Sequence, residues 1–146
     1  MNTERALAAG AAAVGILAAA VAGAANCTFT VQSVAFGNYD PILGQSVNSA
    51  GNVTVSCNVI DSYSITLSPG QGTLLVRQMR NGGYGLNYNL YTDALRTMIW
   101  GDGTSGTVIV SDSAIGGIYT VYGRIPANQN LPAGTYTDSV TVTLNF

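Results

Sequence analysis

The sequence predicts an all-β sandwich, and three observations carry that expectation. Short apolar alternations with a period of two run through residues 27–146, clusters of Gly, Pro, Asn and Asp divide them, and no helical periodicity follows the apolar leader. Alternation places every second side chain on one face of a strand. Many short strands with regular turn signals pack as two sheets around one core. The length accommodates one domain behind a leader.

Residues 1–25 read as a secretory signal. Arg5 gives a thin basic start, residues 6–22 form an apolar run, and small residues close it at Ala22-Gly23-Ala24-Ala25. Cleavage is expected after Ala24 or Ala25, leaving residues 26–146 as the domain. The run is short, Ala-rich and lacks a basic stop-transfer flank, so no membrane segment is expected after cleavage. Export makes the cysteines legible: Cys27 and Cys57 are expected to pair in an oxidising compartment. Lipidation of Cys27 is disfavoured, because Asn26 stands where a lipobox wants a small residue.

Strands are expected at 27–36, 53–59, 63–68, 86–92, 97–100, 107–110, 117–125 and 135–146. In the second, Val53, Val55, Cys57 and Val59 face one way and Thr54, Ser56 and Asn58 the other; Tyr63, Ile65 and Leu67 repeat the pattern. Turns are signalled by Asp40-Pro41, Ser68-Pro69-Gly70, Asn81-Gly82-Gly83, Asp102-Gly103 and Leu131-Pro132-Ala133-Gly134. The last strand is the most regular: Tyr136, Val140, Val142, Leu144 and Phe146 fall on one face, with Thr135, Thr137, Ser139, Thr141, Thr143 and Asn145 on the other. No later segment can pair with it, and a long apolar edge is a template for another chain.

Composition excludes several functions. Beyond the leader the charged residues are Arg77, Arg80, Arg96, Arg124, Asp40, Asp61, Asp93, Asp102, Asp112 and Asp138, with no lysine and no histidine. Without a basic patch, nucleic acid is not an expected partner. Without histidine, a Ser/His triad and the common zinc sites are excluded. The aspartates sit mostly in turn contexts, where their side chains bond the local backbone. Trp100-Gly101-Asp102-Gly103-Thr104 lacks the further acidic ligands of a calcium loop and reads as an Asp-Gly turn. The arginines are expected to pack their stems and pair with Asp. Neither catalysis nor a cofactor nor a metal is expected. Tyr84, between glycines in Asn81-Gly82-Gly83-Tyr84-Gly85, is the candidate adhesive residue of a mobile loop.

Six pieces, in order, resemble the spore coat protein U family, the pilin-like domain of archaic chaperone–usher pili. They are Phe36-Gly37-Asn38-Tyr39-Asp40-Pro41, Gly51-Asn52-Val53-Thr54-Val55-Ser56-Cys57, Leu86-Asn87-Tyr88-Asn89-Leu90-Tyr91, Trp100-Gly101-Asp102-Gly103-Thr104, Tyr122-Gly123-Arg124-Ile125-Pro126, and Gln129 through Gly134-Thr135-Tyr136-Thr137-Asp138. The resemblance implies an immunoglobulin-like sandwich lacking its final strand. In such families a periplasmic chaperone lends a strand first, and the next subunit's N-terminal extension replaces it in the fibre, with an usher as the further partner; this is β-strand addition. The acceptor face would then be Tyr136, Val140, Val142, Leu144 and Phe146.

One departure shapes the expected role. Polymerising subunits of this type carry an extended segment ahead of the first cysteine. Cleavage after Ala24 or Ala25 leaves one or two residues there, which reach about 7 Å, where ten residues would span roughly 33 Å. The expectation is a tip or minor subunit serving adhesion or biofilm formation, exported through the periplasm to the cell surface. The rival readings are a spore or cell coat protein assembled without an usher, and a self-complete carbohydrate-binding module.

Overall fold

The structure, a computed structural model, describes residues 2–6 and 24–146. Of the apolar run expected of the signal, residues 7–22 fall outside the described residues. The described chain is all β, as the alternation predicts: β1 (Asn2–Ala6), β2 (Cys27–Gln32), β3 (Val47–Leu67), β4 (Arg77–Asn81), β5 (Tyr84–Tyr91), β6 (Val110–Ile125) and β7 (Thr141–Asn145). All pairings between these strands are antiparallel, in the order β1-β7-β3-β6-β5-β4, with β2 beside β3.

The β3–β6 ribbon is the frame. Its register runs from Val47↔Ile125 to Ser56↔Gly116, shifts, and resumes from Asp61↔Ala114 to Ile65↔Val110. The strands expected at 53–59 and 63–68 are therefore one strand with a bulge. The bulge corrects one residue's placement: Val59 is expected to face inward but is exposed, as is Ile60 at 73%, because both lie in the irregular stretch between Ser56 and Asp61, where the extra residues of a bulge are left unpaired. Beyond it Tyr63, Ile65 and Leu67 are buried again.

The two halves of the ribbon fold towards each other, and Trp100 joins them. Its backbone N–H donates to Leu90 O (2.9 Å), opposite Gly123 in β6, while its indole N–H donates to Ile65 O (3.0 Å). The fully buried Trp100 belongs to one core cluster with Val53, Leu67, Leu90, Val121, Ile125, Val142 and Leu144. Burying a side chain of this size contributes about 1.5–3 kcal/mol. The strands expected at 97–100 and 107–110 reduce to the bridges Tyr91↔Ile99 and Trp100↔Val108. Cys27 and Cys57 are disulfide-bonded and stand opposite each other in the β2–β3 register.

β4 was not foreseen, because Arg77-Gln78-Met79-Arg80-Asn81 shows no apolar alternation. A two-residue turn at Gly82-Gly83 joins it to β5, with Gly82 at φ 55°, the left-handed conformation glycine supplies without strain. Arg77 opens β4 and is wholly buried. It does not pair with Asp as expected: it donates to Ser68 O (3.1 and 2.9 Å), Trp100 O (2.8 Å) and Asn89 Oδ1 (2.6 Å). Burial lowers its pKa, opposed by Tyr88 and Asp138.

Candidate functional site

The last strand is shorter than its alternation suggests. β7 covers Thr141–Asn145, and Thr137 upstream makes a separate bridge to Arg80. One side of β7 pairs with β3, from Ser64↔Asn145 to Leu67↔Val142. Its other side pairs with β1, from Asn2↔Asn145 to Ala6↔Thr141. β1 also comes near β2. The gap between the first strand of the domain and its last thus takes an antiparallel strand from residues of the expected leader.

Where β1 ends, an open cleft begins. It has a volume of about 1000 Å³, with residues 33–41 along one wall and 131–139 along the other. Met79, Leu86, Tyr88, Leu90, Ile125 and Val140 form its floor, so the cleft is a trough cut into the core. Phe36 packs edge-on to Tyr88, with centroids 5.8 Å apart. The Tyr39 hydroxyl accepts the Gln129 N–H (2.9 Å), tying the 33–41 wall to the chain just ahead of the other wall.

Asp138 is the buried polar residue of this trough. It shares parity with Tyr136 and Val140, so alternation sends it inward, and it is buried. Its Oδ1 accepts from Gln71 N (3.0 Å) and Ser139 N (2.8 Å), and its Oδ2 from the Tyr88 hydroxyl (2.6 Å). Gly70 approaches so closely that a Cβ there would lie 2.2 Å from Asp138 Oδ2. Burial, and then this bond, push the Tyr88 pKa well up. The sequence signal was available: an Asp at an apolar-face position needs partners inside.

Of the five proposed acceptor residues, Val140, Val142 and Leu144 are buried in the core, while Tyr136 and Phe146 are half-buried. Tyr136 and Val140 line the cleft; Val142 and Leu144 lie on the β1-paired stretch of β7; Phe146 lines neither. Cys27 and Cys57 stand at the far end of β2 from the cleft. Tyr84 is the first residue of β5, paired with Asn81 across the tight turn, and the residue is 55% exposed.

The remaining aspartates cap local backbone, as their turn contexts suggest. Asp93 accepts from Thr97 and Met98, Asp102 from Thr104, Asp40 from Ile42 N and Asp61 from Ser62 N. Among the described residues no group of His, Cys, Asp or Glu could hold a metal, and no helix is long and apolar enough to cross a membrane.

Known proteins resemble this chain in sequence and in fold. Residues 13–143 match the Spore Coat Protein U domain. "Protein U" of Myxococcus xanthus is 35% identical over 126 residues, covering 76% of this chain and 70% of that protein. A solved relative is a chain in the crystal structure of the CsuC-CsuE chaperone-tip adhesion subunit pre-assembly complex from archaic chaperone-usher Csu pili of Acinetobacter baumannii. It aligns at TM-score 0.61 and 24% identity, over 84% of this chain and 40% of the longer one. That likeness is one of fold, and it bears out the pilin-type sandwich. The chain belongs to the Spore Coat Protein U domain family.

Proposed function

We propose that this protein is an exported structural subunit of an archaic chaperone–usher pilus, completed by a strand from another protein. The observation that carries the reading is the edge of β7. It accepts an antiparallel strand over Thr141–Asn145 and leads directly into an apolar trough between residues 33–41 and 131–139. An extended peptide with alternate apolar side chains fits such a site: backbone hydrogen bonds continue the sheet, and side chains of one parity enter the trough. Removal of the leader would leave that edge without β1.

The lending partners would be a periplasmic chaperone, then, at the usher, a neighbouring subunit. The acceptor face would be Tyr136, Val140, Val142 and Leu144, with Phe146 at its end. Cleavage after Ala24 or Ala25 would leave only one or two residues ahead of Cys27, which supports a tip or minor position at the cell surface, where adhesion or biofilm formation would follow. The family's name supports a second reading, a coat protein assembled without an usher; a chaperone–usher gene cluster beside this gene would separate the two.

Hydrogen exchange on mature protein tests the strand site. A thirteen-residue peptide of alternating Val and Thr should slow exchange across Thr141–Asn145 and residues 33–41. Unchanged exchange in both segments at saturating peptide would sink the reading.

A further inference from the structure

The direction of the added strand determines where its owner must sit. β1 runs antiparallel to β7, from Asn145 towards Thr141. A strand continuing in that direction passes Val140 and Asp138 and leaves the trough beside Tyr39, Pro41, Leu131 and Pro132. When the strand is an N-terminal extension, the folded body of its owner follows at this exit.

The exit carries an apolar feature that the domain itself does not use. Residues 41–44 form a turn, with the Ile42 N–H donating to Asp40 Oδ1 (2.8 Å) and Gly44 at φ 60° closing it. A Cβ on Gly44 would lie 3.3 Å from Asn128 Oδ1, so the turn rests against the other loop at this end. The turn holds Ile42 91% and Leu43 67% exposed. Adjacent aliphatics on an ordered turn, continuous with a trough wall at Pro41, are placed to meet whatever follows the strand.

We propose that the Ile42–Leu43 turn is the docking surface for the folded body of the strand-donating subunit. This rests on the strand-acceptor reading. The trough then holds the donor's strand, and the turn sets the angle and stiffness of the joint beyond it.

Photo-crosslinking in assembling cells tests this on the full chain, with p-benzoylphenylalanine at position 42 or, separately, at position 136 in the trough. Expected are products from position 136 that map to the donor strand, and products from position 42 that map to the domain following it. Capture at 136 with no capture at 42, or with capture at 42 of the strand or a chaperone alone, overturns the docking surface and leaves the strand site standing. No capture at 136 overturns the strand reading and the docking proposal with it. In a second measurement, the double variant Ile42→Ser, Leu43→Ser should bind the isolated alternating peptide as the wild type does. It should lose about tenfold or more in affinity for a subunit bearing its own donor strand, given the apolar area withdrawn. Equal affinity for that subunit overturns the proposal.

Discussion

The Tyr88 hydroxyl donates to Asp138 Oδ2 at 2.6 Å, joining the middle of β5 to the chain just ahead of β7. Both residues are buried, and both line the trough. Tyr88→Phe removes a donor from a buried carboxylate, which costs about 1–3 kcal/mol. Urea unfolding should show a lower midpoint with an unchanged slope. A midpoint equal to the wild type's would mean that water replaces the hydroxyl.

Arg77 stands across from Tyr88 in the β4–β5 register and holds the adjoining part of the core. Its acceptors are the carbonyls of Ser68 and Trp100 and the carboxamide of Asn89. Arg77→Met fills much of the volume but leaves these acceptors with a donor missing in an apolar setting. The expected loss is at least about 2 kcal/mol. Arg77→Lys should recover only part of it, since one ammonium cannot reproduce the guanidinium fork. Full recovery by lysine, read from thermal unfolding, would contradict this account.

The Cys27–Cys57 disulfide closes a loop with a sequence separation of 30. Loop-closure entropy then assigns it roughly 3–4 kcal/mol. Cys27→Ser with Cys57→Ser should lower stability by that order, and dithiothreitol should do the same to the wild type. Equal unfolding midpoints with and without reductant would refute the assignment.

Acid should weaken the fold. Asp93, Asp102 and Asp112 all have pKa values below the ordinary 3.8: the leading causes are the Met98 N–H, the Thr104 side chain and the Tyr119 hydroxyl respectively. A carboxylate whose folded pKa lies below its unfolded one stabilises the protein above the unfolded value. That contribution disappears as pH falls through the folded value. The urea midpoint should therefore hold from pH 7 to about pH 5 and decline below about pH 4. Asp93→Asn should reduce the decline; a midpoint that rises on acidification would contradict the sign.

Much of the sandwich was legible in the sequence because period-two burial is a local signal. Val53, Val55, Tyr63, Ile65 and Leu67 alternate in the sequence and are buried in the structure. What stayed hidden depended on distant partners. Val59 has the right parity, but the register shift beyond Ser56 overrides it. β4 carries arginine where a core residue would be looked for, and only Ser68, Asn89 and Trp100 make Arg77's burial affordable. The trough was half visible: Val140 and Tyr136 follow from alternation, whereas its opposite wall at residues 33–41 continues an expected strand that ends at Gln32. Asp138 was passed over because an acid on an apolar face reads as turn chemistry until Tyr88 and Gln71 are seen beside it.

The central claim is that the mature domain is incomplete without a partner's strand. The direct measurement is thermal unfolding with sedimentation of purified residues 26–146, with and without the alternating peptide. The account predicts a low or poorly cooperative transition and self-association for the protein alone. Saturating peptide should raise the transition temperature and yield a one-to-one complex, since a ligand confined to the native state stabilises it. A protein that is monomeric alone, unfolds cooperatively at high temperature and ignores the peptide would contradict it.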